Sequence, residues 1–93
     1  MRAQVRAAVV PVGGGVITDG VVVTQPVAGT YAAFDPTCPH LGCAVRGIAA
    51  GTISCFCHGS RFRIADGSVA GGPAPAPLTP LPVEMEGDTL RVG

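Results

Sequence analysis

The sequence predicts a small domain built mostly of β-strands, and three observations carry that expectation. Glycine and proline supply 14 and 9 of the 93 residues, which marks a turn-rich chain. The pieces between those turns are short and rich in β-branched residues, which suit a pleated surface. No stretch repeats its apolar residues at the 3.6-residue period of a helix. The 93 residues make one domain, 1–93, with a thin core, because a chain of this size buries only a modest share of its unfolded surface.

Residues 6–26, RAAVVPVGGGVITDGVVVTQP, hold short β-branched runs parted by Gly13–Gly15 and by Asp19-Gly20. Asp-Gly between two valine-rich runs predicts a hairpin, because glycine accepts the positive φ of the turn. GTYAAFDP predicts a further strand, with Tyr31 and Phe34 as its bulky residues and Asp35-Pro36 as its end. AVRGIAAGTIS, 44–54, reads as strand, glycine-bearing turn and strand. RFRI, from Arg61, alternates polar and apolar residues at the strand period, and ADGS after it is a turn. LPVEMEGDTLRVG closes the chain as a hairpin about Gly87-Asp88. The Pro-rich stretch 70–82, AGGPAPAPLTPLP, has the composition of a linker, yet it joins two parts of one domain and is read as an ordered loop.

Six basic and six acidic residues sum to zero, so no electrostatic footprint points to nucleic acid or an anionic membrane. No apolar run approaches the roughly 20 residues that span a bilayer. The short apolar run at the N-terminus is cut by Pro11 and the glycines before it forms a signal core. The chain as written reads as soluble. The opening MRAQ leaves room for it to be the head of a longer exported or anchored protein.

All four cysteines and both histidines fall in two knots, CPHLGC at 38–43 and CFCHGS at 55–60. Each knot offers a mixed pair, Cys38-x-His40 and Cys55-x-x-His58, with fourteen residues between His40 and Cys55. A structural zinc site needs four ligands converging on one ion, and the usual fingers pair like with like on each arm. Mixed arms suit a binuclear cluster better.

The two knots resemble the ligand loops of Rieske iron-sulfur proteins, in which two thiolates hold one iron of a [2Fe-2S] centre and two histidines hold the other. The resemblance covers residues 31–93, with the N-terminal third matching only as generic β-sheet, and it puts Cys38, His40, Cys55 and His58 in the four ligand positions. It implies an all-β antiparallel sandwich or barrel with a cluster-binding subdomain at about 37–76, made of two loops and a Pro-rich third. In the high-potential branch of cytochrome bc-type complexes a cysteine stands at each of the places held here by Cys43 and Cys57, so the resemblance implies a disulfide between them. It further implies that Gly72, Pro73, Ala74 and Pro75 cover the cluster and that Ser60 donates to a bridging sulfide. Phe62 stands where a donor tyrosine is usual, and Leu41 matches an apolar docking residue. The ligand pairs are spaced somewhat more closely than in respiratory members, and Arg46 and Arg61 are read as solvated.

The function implied is one-electron transfer through one [2Fe-2S] cluster, as a carrier rather than a catalyst alone. The chain would be the soluble head of a membrane-tethered or quinol-oxidising system, monomeric as isolated, with a redox protein or quinol-oxidising membrane complex as partner. A disulfide implies an extracytoplasmic or periplasm-like compartment, with an anchoring segment beyond these residues. Histidine ligands imply a midpoint potential that falls with pH in the alkaline range. Four alternatives compete with this reading: a Rieske ferredoxin serving an oxygenase, against which the cysteine pair argues; a structural zinc module; a Cys57-His58 nucleophile, whose adjacent side chains seldom aim at each other; and a Cys55/Cys57 dithiol, which would strand the histidines.

Overall fold

The computed structural model describes residues 2–38, 43–55, 59–72 and 74–93. Among them eleven strands form three antiparallel sheets, and no helix is long and apolar enough to cross a membrane. The first sheet runs β1 (Ala3–Arg6), β11 (Thr89–Val92), β10 (Val83–Glu86); the second β2 (Gly14–Thr18), β3 (Val21–Val27), β4 (Thr30–Phe34), β9 (Pro80–Leu81); the third β5 (Val45–Ala49), β6 (Thr52–Cys55), β7 (Arg61–Arg63), β8 (Val69–Gly71).

The turns follow from local chemistry. Asp19 and Gly20 both take positive φ, 50° and 75°, as the two-residue turn between β2 and β3 requires. Ala50 and Gly51 do the same between β5 and β6, although Ala50 carries the steric penalty of that conformation. The valine run reads differently from its sequence. Ala7–Val9, expected within a strand, is a single 3-10 turn closed by Val10 N donating to Ala7 O at 3.1 Å. The strand lies one step earlier, in β1, where a partner is available in β11.

The second sheet separates two cores. Val22 on β3 packs with Phe34, Ile53, Phe62 and Leu78, while its neighbours Val21 and Val23 pack with Val5, Val10, Leu90 and Val92. Successive strand residues face opposite sides. Residues 21–25 are therefore all buried. The two polar members are satisfied: Thr24 Oγ1 donates to Ile64 O at 2.7 Å, and Gln25 Nε2 to Val10 O at 2.7 Å while its Oε1 accepts from Gly29 N at 2.9 Å. Pro26, which lacks an N–H, stands where the β3–β4 register shifts.

Phe34 pairs with Pro80, so residues 35–79 form one excursion from the second sheet, and it carries the third sheet. The Pro-rich stretch is ordered in its described residues because Leu78 anchors it. That side chain is wholly buried in the core shared with Phe34 and Phe62, and its N–H donates to Gly67 O at 3.0 Å.

Candidate metal centre

The bases of the two knots lie side by side. The first is closed by a short ladder in which Val45 N donates to Pro36 O at 2.8 Å, Thr37 bridges Ala44, and Cys38 N donates to Cys43 O at 2.5 Å. The second is closed by the β6–β7 pairing of Ser54 with Arg61 and by Cys55 N donating to Ser60 O at 2.8 Å. Val45 and Cys55 are partners across β5 and β6, which aligns the two bases at one end of the third sheet. Asp35 sets the start of the first knot. Its Oδ1 accepts from Thr37 N and its Oδ2 from Arg2 Nη1, both at 2.8 Å. The hydrogen bond from the Thr37 backbone, and then the Arg2 guanidinium, hold its carboxyl below the usual carboxylate value.

Cys38 and Cys55 are 0% and 1% exposed, both are thiols, and both line the core that holds Val45, Phe62 and Ala74. Cys43 is disulfide-bonded and packs against the same core. Ser60 is also 0% exposed, and its hydroxyl finds no acceptor among the described residues. Over it lies Gly72: a Cβ there would stand 2.5 Å from Ser60 Cα and 2.8 Å from both Ser60 N and Gly59 O. Only glycine allows the Pro-rich loop to approach so closely, and the φ of +84° excludes most other residues independently.

Cys38, Cys43, Cys55, Ser60, Phe62, Gly72 and Ala74 are thus gathered in one region, while Pro75 is exposed to solvent. His40, Leu41, Cys57, His58 and Pro73 lie outside the described residues. Two contributors escape a reading of the sequence. Arg2 is 33 residues from Asp35 with no local signal to link them. Asp35 and Thr37 have the spacing of an Asx turn, a signal present but ambiguous beside a strand end.

Two buried thiols and a buried hydroxyl lacking an acceptor fit a sulfide-bridged pair of irons. The thiols would serve as ligands, and the sulfide of such a cluster would give the buried Ser60 donor the acceptor it needs. Residues 2–82 match the family model of the Rieske [2Fe-2S] domain. The chain belongs to the Rieske family. Rieske domains carry a single [2Fe-2S] cluster. The match reaches residue 2, so the N-terminal third is part of the Rieske domain and not generic sheet.

The Rieske chain is 38% identical over 87 residues to a cytochrome b6-f complex iron-sulfur subunit of Chlorobaculum tepidum, covering 89% of this chain and 48% of the relative. It spans about half, or less, of the length of the curated relatives it matches. Among solved structures it is similar to the plasma membrane Rieske protein of Synechocystis, at a TM-score of 0.72 and 34% identity over 86% of this chain and 83% of that one. A ferredoxin of Sphingomonas yanoikuyae matches with a TM-score of 0.71 and 26% identity, covering 94% and 91% of the two chains.

Proposed function

We propose that this Rieske domain carries one electron at a time between a donor and an acceptor, with Cys38 and Cys55 as ligands of one iron and His40 and His58 of the other. The observation that carries the reading is the burial of two thiols in one core beside the Ser60 hydroxyl, which has no acceptor among the described residues. When bound, the cluster supplies a one-electron couple. The chain supplies the rest. Phe62, Ile53 and Val45 make an apolar wall that keeps water from the thiols, Ser60 holds a hydroxyl ready to donate, and Gly72 lets the Pro-rich loop press on Ser60.

Cys43 takes Cys57 as its disulfide partner in this reading and so ties the two knots together. A disulfide supports the bc-type branch over a cytoplasmic ferredoxin, and with it an extracytoplasmic location. The likeness to an iron-sulfur subunit of a b6-f complex supports a place as the head of a quinol-oxidising system, with Leu41 as an apolar docking residue.

Anaerobic purification tests the reading. Two irons and two sulfides per chain, with red-brown colour, are expected, together with the spectrum of mixed sulfur and nitrogen ligation once the protein is reduced. Replacing His40 and His58 by cysteine should keep the colour and change that spectrum. Stoichiometric zinc in protein reconstituted anaerobically with iron and sulfide overturns it.

A further inference from the structure

The charges of the domain are segregated. Residues 37–76 carry Arg46, Arg61 and Arg63 against Asp66 alone, a net charge of +2. The remainder carries Arg2, Arg6 and Arg91 against Asp19, Asp35, Glu84, Glu86 and Asp88, a net charge of −2. Pairing follows the same division. Arg2, Arg6 and Arg91 each meet a carboxylate, Asp35 at 2.8 Å, Asp88 at 3.9 Å and Glu86 at 2.8 Å. Among the described residues, no carboxylate lies within 4 Å of the three arginines of 37–76.

The third sheet gathers those three on one face. Its register aligns Gly47, Ser54, Arg61 and Gly71 in a row across four strands. Arg63, two residues beyond Arg61, shares the face, and the β-bulge between Val45 and Gly47 sets exposed Arg46 beside the row. Ile53 and Phe62 fill the opposite face. The row of small residues leaves room for Arg61, whose Nη2 reaches over Gly71. Arg63 Nη1 donates to Val69 O at 2.8 Å and Ser68 Oγ at 3.2 Å, which fixes its charge over β8. Asp66 accepts from Ser68 N at 2.9 Å. The face reaches the metal site directly, since Ser54 precedes Cys55 and Arg61 follows Ser60.

We propose that this outer face, centred on Arg61, docks an acidic surface of an electron-transfer protein beside the cluster. The proposal rests on the carrier reading. Guanidinium groups match carboxylates in charge and in planar, bidentate geometry. Opposite net charges on the two parts of the molecule turn the arginine face toward a negative partner before contact. Two ferric ions, two sulfides and two thiolates sum to zero charge, so an oxidised cluster leaves the +2 intact and the added electron lowers it to +1. An anionic membrane is the lesser candidate, because surface binding to lipid sets apolar side chains beside the basic ones. The exposed large apolar residues described, Val9, Val12, Ile17, Val27 and Met85, all lie outside 37–76.

Stopped-flow oxidation of the reduced, cluster-loaded domain by two small oxidants tests the proposal, with ferricyanide as the anion and tris(phenanthroline)cobalt(III) as the cation. Ferricyanide should slow about tenfold between low and high ionic strength, and by a similar factor in Arg46→Gln/Arg61→Gln/Arg63→Gln at low salt, with the cobalt complex showing the opposite trend. Polyglutamate, standing in for an acidic protein surface, should slow ferricyanide on the wild type and not on the variant. Arg46→Gln alone, whose side chain makes no hydrogen bond among the described residues, should give about a twofold fall and serves if the triple variant does not fold. Unchanged rates in the variants overturn the docking face and leave the carrier reading standing, since both oxidants still take the electron. Arginine-dependent binding to phosphatidylglycerol vesicles without an effect of polyglutamate assigns the face to lipid and also overturns it. A domain that exchanges electrons with neither oxidant overturns the carrier reading itself.

Discussion

Ser60 buries a hydroxyl donor that no described residue accepts. Such a group costs about 1–3 kcal/mol when left alone, so the protein keeps it only where something else accepts from it. Ser60→Ala should therefore lower the midpoint potential of the loaded domain by about 40 mV, the equivalent of one hydrogen bond of about 1 kcal/mol for a one-electron couple. Phe62→Tyr should raise it by a similar amount, because the ring lies in the core that holds both thiols and a hydroxyl there gains a sulfur acceptor. Protein-film voltammetry checks both. Asp35 predicts a pH effect of definite sign. Its pKa is lowered by folding, so its contribution is present above the ordinary aspartate value of 3.8 and is lost as pH falls through the lower, folded value. Asp35→Ala should cost about 1 kcal/mol at neutral pH, with the difference in thermal stability from wild type shrinking below about pH 4. At this scale the sequence discloses the knots, because cysteine and histidine are scarce and all six fall in two short stretches. It discloses neither the missing acceptor of Ser60 nor the Arg2–Asp35 contact, because both depend on what the chain brings together across many residues.

Elements were legible wherever backbone chemistry is local. Asp19-Gly20 and Gly87-Asp88 announce their hairpins, and both form as expected. Ala7–Val9 was not, since an apolar run of four residues has no period of its own and the tertiary partner decides where the strand falls. The Pro-rich loop is an intermediate case: its order rests on Leu78 and Gly72, single residues within a composition that suits a flexible linker equally well. Gly72→Ala should cost well over the ~1 kcal/mol of a left-handed alanine, because the new methyl group meets Ser60 backbone rather than a side chain that can turn away. Gly51→Ala is the control. Its φ is +77° with nothing within 4 Å of the added carbon, so it should show the conformational cost alone. Thermal melts and iron content of the two variants separate the effects, with iron lost only from Gly72→Ala.

The whole molecule is two thin cores divided by one sheet, a plan hidden in the sequence because VVVTQ reads alike whether one face is covered or both. A core this small depends on its cross-link. Reducing the disulfide of Cys43 should destabilise the domain by about 3 kcal/mol if it closes a loop of about 14 residues, and most of the loss should fall on the excursion that carries the metal site. Hydrogen exchange with and without a thiol reductant locates that loss: protection should fall in β5–β8 before it falls in β1, β10 and β11.

The pairing of β1 with β11 has a further consequence. Ala3 lies opposite Val92, and Arg2 N donates to Val92 O at 2.6 Å, so the first and last strands are neighbours. The fold is in effect a ring cut at one place, and a circular permutant can be cut at another. A short glycine joiner between residues 93 and 2, with new ends opened at the exposed Asp19-Gly20 turn, should fold to the same domain with its termini moved from the first sheet to the second.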